Sequence, residues 1–179
     1  MGGEEILSAP PHSPDQMFTL EFASRARGGF DVAPARPEDD GFLYDLFAAV
    51  QPGRDAMPDI LVRLQFQSRT ATYAAQSPHA TRLLVSRASA PIGCFIVDWT
   101  RPDCTWGVDL AVLPAARQGA VGWRLLCAWL AVSDRLGKPA GLCVTPLNPA
   151  RLLYRRLGFV EIDAGAVTIV MQRPAKIRG

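Results

Sequence analysis

The apolar residues of this chain change period along its length, and the changes mark out its elements. Phe42, Leu43, Leu46, Phe47 and Val50 recur at offsets 0, 1, 4, 5 and 8, one face of a helix, behind the acidic group Glu38, Asp39 and Asp40 that suits a helix N-terminus. A short strand in "FDVAP" precedes this helix, closed by Pro34 and Pro37, and "QPGRD" breaks it. A second helix is predicted over about 58 to 76, with Leu61, Leu64, Ala71 and Ala75 on its apolar side. Gln65, Arg69, Tyr73 and Gln76 form a polar stripe on it at offsets 0, 4, 8 and 11. The stripe reads either as a solvated face or as a wall of a polar pocket.

Three short strands follow, "TRLLVS", "IGCFIVDW" and "TWGVDLAVL", the first two at hairpin spacing. A long helix over about 117 to 136 repeats Val121, Leu125, Ala128, Trp129, Val132 and Leu136 at offsets 0, 4, 7, 8, 11 and 15, and stops at Gly137 with Pro139 beyond. Next come the strand "AGLCV" and a helix with Ala150, Leu153, Tyr154 and Leu157 on one face, ended by Gly158. Phe159 to Ile162 and Val167 to Met171 supply the last strands. Hairpins early and a strand-helix-strand crossover late predict an α/β domain with a mixed sheet and helices on both faces. Residues 1–16 carry three prolines and few apolar residues, so they read as a disordered arm, and the domain is expected over 17–179. Met17 is an alternative first residue.

Composition narrows the class of protein. The 179 residues are 49% hydrophobic and 20% charged, the balance of one globular domain with one core. A net charge of +2 without a basic run does not argue for nucleic acid. Arg151, Arg155 and Arg156 repeat at offsets 0, 4 and 5, which is the solvated side of their helix. Cys94, Cys104, Cys127 and Cys143 are scattered, with only His12 and His79 as imidazoles, so neither a metal site nor a disulfide framework is expected. They read as reduced thiols in a cytoplasmic protein. No stretch reaches the ~18 apolar residues of a membrane span.

Candidate chemistry centres on "PAARQGAVGWRLL", where a strand runs into a helix. The Lys and hydroxyl of a P-loop are missing, and so is the G-x-G-x-x-G of a dinucleotide fold. What remains is a backbone anion site or merely a tight strand-to-helix junction. Gly119, Ala120 and Gly122 keep the turn small, first-turn N–H groups lack internal partners, and Arg117 and Arg124 can add cationic contacts. Upstream, Asp109 interrupts the apolar run "WGVDLAVL", and a lone carboxylate in a buried strand is costly unless paired or functional. It is the first candidate for a general base, with Asp98 and Tyr73 behind it and Asp103 read as a turn residue.

The segment "LAVLPAARQGAVGWRLLCAWL" resembles the acyl-CoA-binding segment of the GNAT N-acetyltransferase superfamily, a strand ending in V-x-P that leads into R/Q-x-x-G-x-G/A. Ala120 stands at the middle glycine, where a methyl group is harmless at negative φ and awkward at positive φ. "NPARLLYRRLGF", Asn148 to Phe159, resembles the family's N-x-x-A-x-x-x-Y-x-x-x-G-F segment in its alanine, tyrosine, glycine and phenylalanine, with an asparagine at its head.

The resemblance implies a single-domain fold with a mixed, mostly antiparallel sheet of six to seven strands and acetyl-CoA as cofactor. Leu110, Ala111, Val112 and Leu113 would lie along the pantetheine, and Arg117, Gln118, Gly119, Ala120, Val121, Gly122 and Trp123 about the pyrophosphate. Asn148, Ala150 and Tyr154 would also touch the cofactor, with Tyr154 as the acid near its sulfur. The implied reaction is direct acetyl transfer to a primary amine of a small molecule or peptide, with Asp109 as base. Gln65, Arg69 and Tyr73 would line the acceptor pocket, Arg69 suiting a carboxylate-bearing amine. Trp106 occupies the position where several relatives carry a base. With Ala120, it motivates the alternative of a catalytically silent acyl-CoA-binding module. Family members are often homodimers, and no nucleic-acid or membrane partner is expected.

Overall fold

The computed structural model describes residues 13–25 and 29–176. The order is α1 (Pro14–Arg25), β1 (Phe30–Pro34), α2 (Asp40–Val50), α3 (Asp59–Gln76), β2 (Thr81–Arg87), β3 (Ala90–Asp98), β4 (Thr105–Val112), α4 (Val121–Arg135), β5 (Ala140–Val144), α5 (Ala150–Arg156), β6 (Val160–Ala164) and β7 (Ile169–Arg173). The strands form one sheet in the order β1-β2-β3-β4-β5-β7-β6, antiparallel throughout except for the parallel pair β4–β5. This is the mixed sheet that the hairpins and the late crossover imply, and the mostly antiparallel one that the family resemblance implies. No helix among the described residues is long and apolar enough to cross a membrane.

Two clusters fill the faces. On one, Phe18 and Phe22 of α1 meet Leu125 and Trp129 of α4 over Leu83, Phe95 and Met171. On the other, Leu43 and Leu46 of α2 cover Cys94 and Ile96 of β3, with Phe66 and Tyr73 of α3 beside them.

Three local expectations change. The arm gives way to helix at Pro14: the Ser13 N–H donates to Gln16 Oε1 (2.9 Å) and the Gln16 N–H to Ser13 Oγ (3.3 Å), a reciprocal cap with Pro14 opening the first turn. Asp15 then accepts from Trp99 Nε1 (2.7 Å) and Thr81 Oγ1 (3.0 Å), which ties α1 to the sheet. The rest of the expected arm, 1–12, lies outside the described residues.

Helix α3 is turned the other way from its apolar pattern. Leu61 and Leu64 are 42% and 54% exposed, whereas Val62 is fully buried and Arg69 and Tyr73 face inward. The polar stripe is the wall, because α2 and the sheet offer it aromatic faces and a carboxylate. The third change concerns α4, which starts at Val121 rather than 117, since Pro114–Gly119 form a 3-10 turn that ends at a left-handed Ala120.

Candidate active site at the fork of two strands

The site follows from a break in strand pairing. β4 and β5 pair only through Thr105–Ala140, Trp106–Gly141 and Gly107–Leu142, and beyond Gly107 the two strands part. Trp129 of α4 lies beneath this point: a Cβ at Gly107 would stand 2.9 Å from its ring, so only glycine lets the helix approach here. The ring is fixed by its Nε1–H, which donates to Thr105 Oγ1 (3.0 Å), itself bonded to Ser133 Oγ (2.6 Å). The result is a slot between β4 and β5 lined by Val108, Asp109, Leu110, Cys143, Asn148 and Tyr154 among others.

A bulge sets the direction of Asp109. Ile96 of β3 pairs with Asp109 and the next residue, Val97, with Gly107, so Val108 is the extra residue. Simple alternation would put Asp109 on the face of Gly107, against α4. The bulge turns it to the face of α2 and α3, where it lines a second, small cavity with Phe47, Phe66, Arg69, Tyr73, Arg82 and Ile96. Asp109 is thus shared by the slot and the cavity.

Its electrostatic surroundings are specific. Arg69 Nη2 lies 2.5 Å from Asp109 Oδ1, and Arg69 Nε donates to the Tyr73 hydroxyl (2.7 Å). The same guanidinium stands 5.3 Å from the ring centres of both Phe47 and Tyr73. Burial raises the Asp109 carboxyl above the usual carboxylate range, and the charge and hydrogen bond of Arg69 only partly reverse this. Arg69 loses by burial but gains more from Asp109 and Tyr73, so its pKa is raised. Burial and then the Asp109 charge raise Tyr154, keeping its hydroxyl protonated. Cys94, beside Asp109, is pushed up to about 12 by burial and that charge, so it is an inert thiol.

Each expected residue can now be placed. Arg69 and Tyr73 line the cavity with Asp109, but Gln65 does not: its Oε1 accepts from Gln51 Nε2 (3.1 Å) and joins α3 to α2. Arg69 is engaged by Asp109, Tyr73 and two rings, which replaces the expected contact with a substrate carboxylate. Asp98 accepts from the N–H (2.9 Å) and hydroxyl (2.7 Å) of Thr100 and lines neither cavity, so it is a turn-forming residue. Trp106 covers Gly141, where a Cβ would meet its ring at 2.7 Å, and stacks under Arg101 at 4.3 Å. It packs where a base was expected from relatives.

Around the loop, Arg117 Nε donates to Val112 O (3.2 Å), Gln118 is exposed, and Arg124 lies 5.7 Å from the Phe30 ring. Ala120 has φ +53°, the awkward case for a methyl group. A Cβ at Gly122 would meet nothing closer than Leu110 Cδ2 at 4.0 Å, so internal packing does not require glycine in this first turn. Glycine inside a helix costs up to about 1 kcal/mol, and here it leaves the first-turn N–H groups uncovered by a side chain. Val121 is buried beneath the turn. The Trp123 side chain lines a separate groove with Glu21, Arg25 and Arg156. Ala150 lies outside the slot. Its N–H donates to Asn148 Oδ1 (2.9 Å), so Asn148 caps α5 while also lining the slot, and it stands one residue nearer the alanine than the N-x-x-A spacing. Arg151 and Arg155 both bind Glu161 (2.7 and 2.8 Å), so two of the three basic residues on α5 face an acid.

The mixed sheet, forked after a bulged fourth strand, is a fold shared with solved N-acetyltransferases. Residues 79–161 match the family model of the acetyltransferase (GNAT) domain. Over that stretch the chain is similar to the GNAT acetyltransferases, a family whose cofactor is acetyl-CoA. Its fold is similar to that of PaiA N-acetyltransferase from Thermoplasma acidophilum, solved in complex with coenzyme A, at 13% identity and TM-score 0.65, covering 82% of this chain and 99% of that one. It is also similar to the ribosomal-protein-S18-alanine N-acetyltransferase from Escherichia coli (19% identity, TM-score 0.59, 84% and 96% covered). A third neighbour is Naa50 from Arabidopsis thaliana, solved with a bisubstrate analogue (16%, 0.56, 81% and 98%). No curated protein matches the sequence.

Proposed function

We propose that this protein is an acetyl-CoA-dependent N-acetyltransferase that acetylates a primary amine by direct attack. The observation that carries the reading is that one carboxylate, Asp109, lines both the β4–β5 slot and the cavity under α2 and α3. Acetyl-CoA, when bound, supplies a thioester carbonyl activated toward amines. The open edge of β4 beyond Gly107 offers backbone groups to the pantetheine arm in the manner of an added strand. The bare first turn of α4 would hold the pyrophosphate, and Arg117, on the turn before it, would add a cation.

The chain's own groups handle the protons. Asp109 Oδ accepts a proton from the incoming ammonium, and its raised pKa brings it nearer to that task than an ordinary carboxylate. Arg69 fixes the carboxylate in place. The Tyr154 hydroxyl, held protonated, donates to the departing sulfur from the other side of the fork.

The left-handed Ala120 and the packed Trp106 favour a second reading, a silent acyl-CoA-binding module. One assay separates the two: free thiol released from acetyl-CoA on adding a panel of primary amines. The enzyme releases thiol in proportion to acylated amine. A binding module shows cofactor-dependent thermal stabilisation and no amine-dependent thiol.

A further inference from the structure

We infer that the acceptor is an α-amino acid with a compact apolar side chain, and that Arg82 selects it by holding its carboxylate. The inference rests on the acetyltransferase reading of the same site. It starts from charge. The cavity under α2 and α3 contains two cations, Arg69 and Arg82, and one carboxylate, Asp109. Arg69 is consumed by Asp109 and by the Tyr73 hydroxyl. Among the described residues no carboxylate lies within ion-pair distance of Arg82. A plain ammonium entering this cavity meets a net positive lining. A zwitterion brings the missing anion with it, and a guanidinium binds a carboxylate through two parallel N–H···O bonds.

Strand register supplies the geometry. Arg82 pairs with Ile96, and Ile96 pairs with Asp109, so the three form one row across β2, β3 and β4 on the face toward α2 and α3. Adjacent strands lie about 4.8 Å apart, which puts the Cα atoms of Arg82 and Asp109 about 10 Å from each other. Both side chains line the one cavity. The gap between them suits an amine and a carboxylate on a single carbon, with the amine at Asp109 beside the slot.

The rest of the lining decides the side chain. Leu43, Leu46, Phe47, Phe66 and Ile96 form an apolar wall, and the cavity is only about 50 Å³. Such a wall takes a compact aliphatic group and leaves a charged side chain unpaired. A peptide N-terminus has an amide where the free amino acid has its carboxylate, so it leaves Arg82 without a partner.

The test uses acetyl-CoA with L-valine and L-leucine, their amides, and the decarboxylated isobutylamine and isoamylamine, for wild type and for Arg82→Gln and Arg82→Lys. Wild type is expected to prefer the free amino acids at least tenfold in kcat/KM over the amides and the amines. Arg82→Gln is expected to collapse that preference at least tenfold through KM, and Arg82→Lys to restore part of it. Thermal stabilisation by acetyl-CoA confirms in each case that the variant is folded and binds cofactor. Equal or better use of the amides or amines by wild type overturns the inference, and so does a preference that survives in Arg82→Gln. Cofactor binding without transfer to any of the free amino acids also overturns it. Absence of acetyl-CoA binding would instead defeat the acetyltransferase reading beneath it.

Discussion

Arg69 of α3 grips Asp109 of β4 across the cavity under α2 and α3, with its guanidinium beside the rings of Phe47 and Tyr73. The pair joins the one carboxylate among the described residues of the cavity lining to a cation that cannot be neutralised at working pH, so Asp109 is held in orientation and its charged form has a partner despite its burial. Asp109→Asn is expected to lower kcat by about 100-fold or more while acetyl-CoA binding persists. As the proposed base Asp109 works deprotonated, and its pKa is raised, so activity is expected to fall on the acid side at higher pH than for an ordinary carboxylate. Arg69→Met removes a charge that lowers this pKa and therefore moves the acid limb to still higher pH. A kcat–pH profile of the two proteins checks the sign, and an unmoved limb would exclude Asp109 as the base.

Tyr154 faces the same slot from α5, and its ring meets Phe159 edge-on at 5.9 Å. The Phe variant keeps this packing and loses only the hydroxyl. Tyr154→Phe should lower kcat by about 100-fold with little change in Tm or in KM for acetyl-CoA. A loss confined to KM would mean that the hydroxyl binds and does not donate.

Ala120 carries a methyl group at φ +53° where the chain turns into α4. The left-handed conformation costs an alanine about 1 kcal/mol or more, partly offset by glycine's greater unfolded-state entropy. Ala120→Gly is expected to leave stability level or raise it by about 0.5 kcal/mol and to tighten coenzyme A. Calorimetric titration with coenzyme A measures the second effect, and weaker binding would mean that the methyl group contacts the cofactor favourably.

Gly107 lies against Trp129 at the fork. Gly107→Ala forces its Cβ toward a ring that is fully buried and held by Thr105, and such overpacking costs about 1–3 kcal/mol. A lower Tm together with weaker acetyl-CoA binding is the expected pair of changes, because displacing Trp129 disturbs the slot wall.

Asp134 closes the far end of α4. Burial would raise its carboxyl, but two bonds from Arg173 (2.8 and 3.0 Å) and one from the Lys176 N–H (2.7 Å) hold it below the usual range. A depressed folded pKa stabilises the fold above the unfolded value, about 3.9, and that contribution is lost as pH falls through the folded value. Asp134→Asn should therefore lower Tm at neutral pH, with the difference from wild type shrinking below pH 4. A difference constant with pH would contradict this assignment.

Much of the fold was legible because local rules agree with tertiary packing. The alternating strands, the stop at Gly137 and Pro139, and the apolar face of α4 need no partner to be recognised. Helix α1 was legible too, in the Ser13-Pro14-Asp15-Gln16 cap and the Phe18/Phe22 pair, but the surrounding prolines resembled an arm. The orientation of helix α3 is not legible in its pattern because its apolar stripe is the exposed one, an inversion visible only once α2 and the sheet supply partners for Arg69 and Tyr73.

The sequence by itself determined the order of elements, the small-residue turn at the head of α4 and the candidacy of Asp109 and Tyr154, because spacing and residue chemistry are properties of the chain. Only the tertiary structure decided which way Asp109 points, since one extra residue at Val108 reverses its face. The structure alone also gave Arg69 to Asp109 and left Arg82 facing the cavity. Ion pairs depend on distances between residues remote in sequence, which periodicity does not encode.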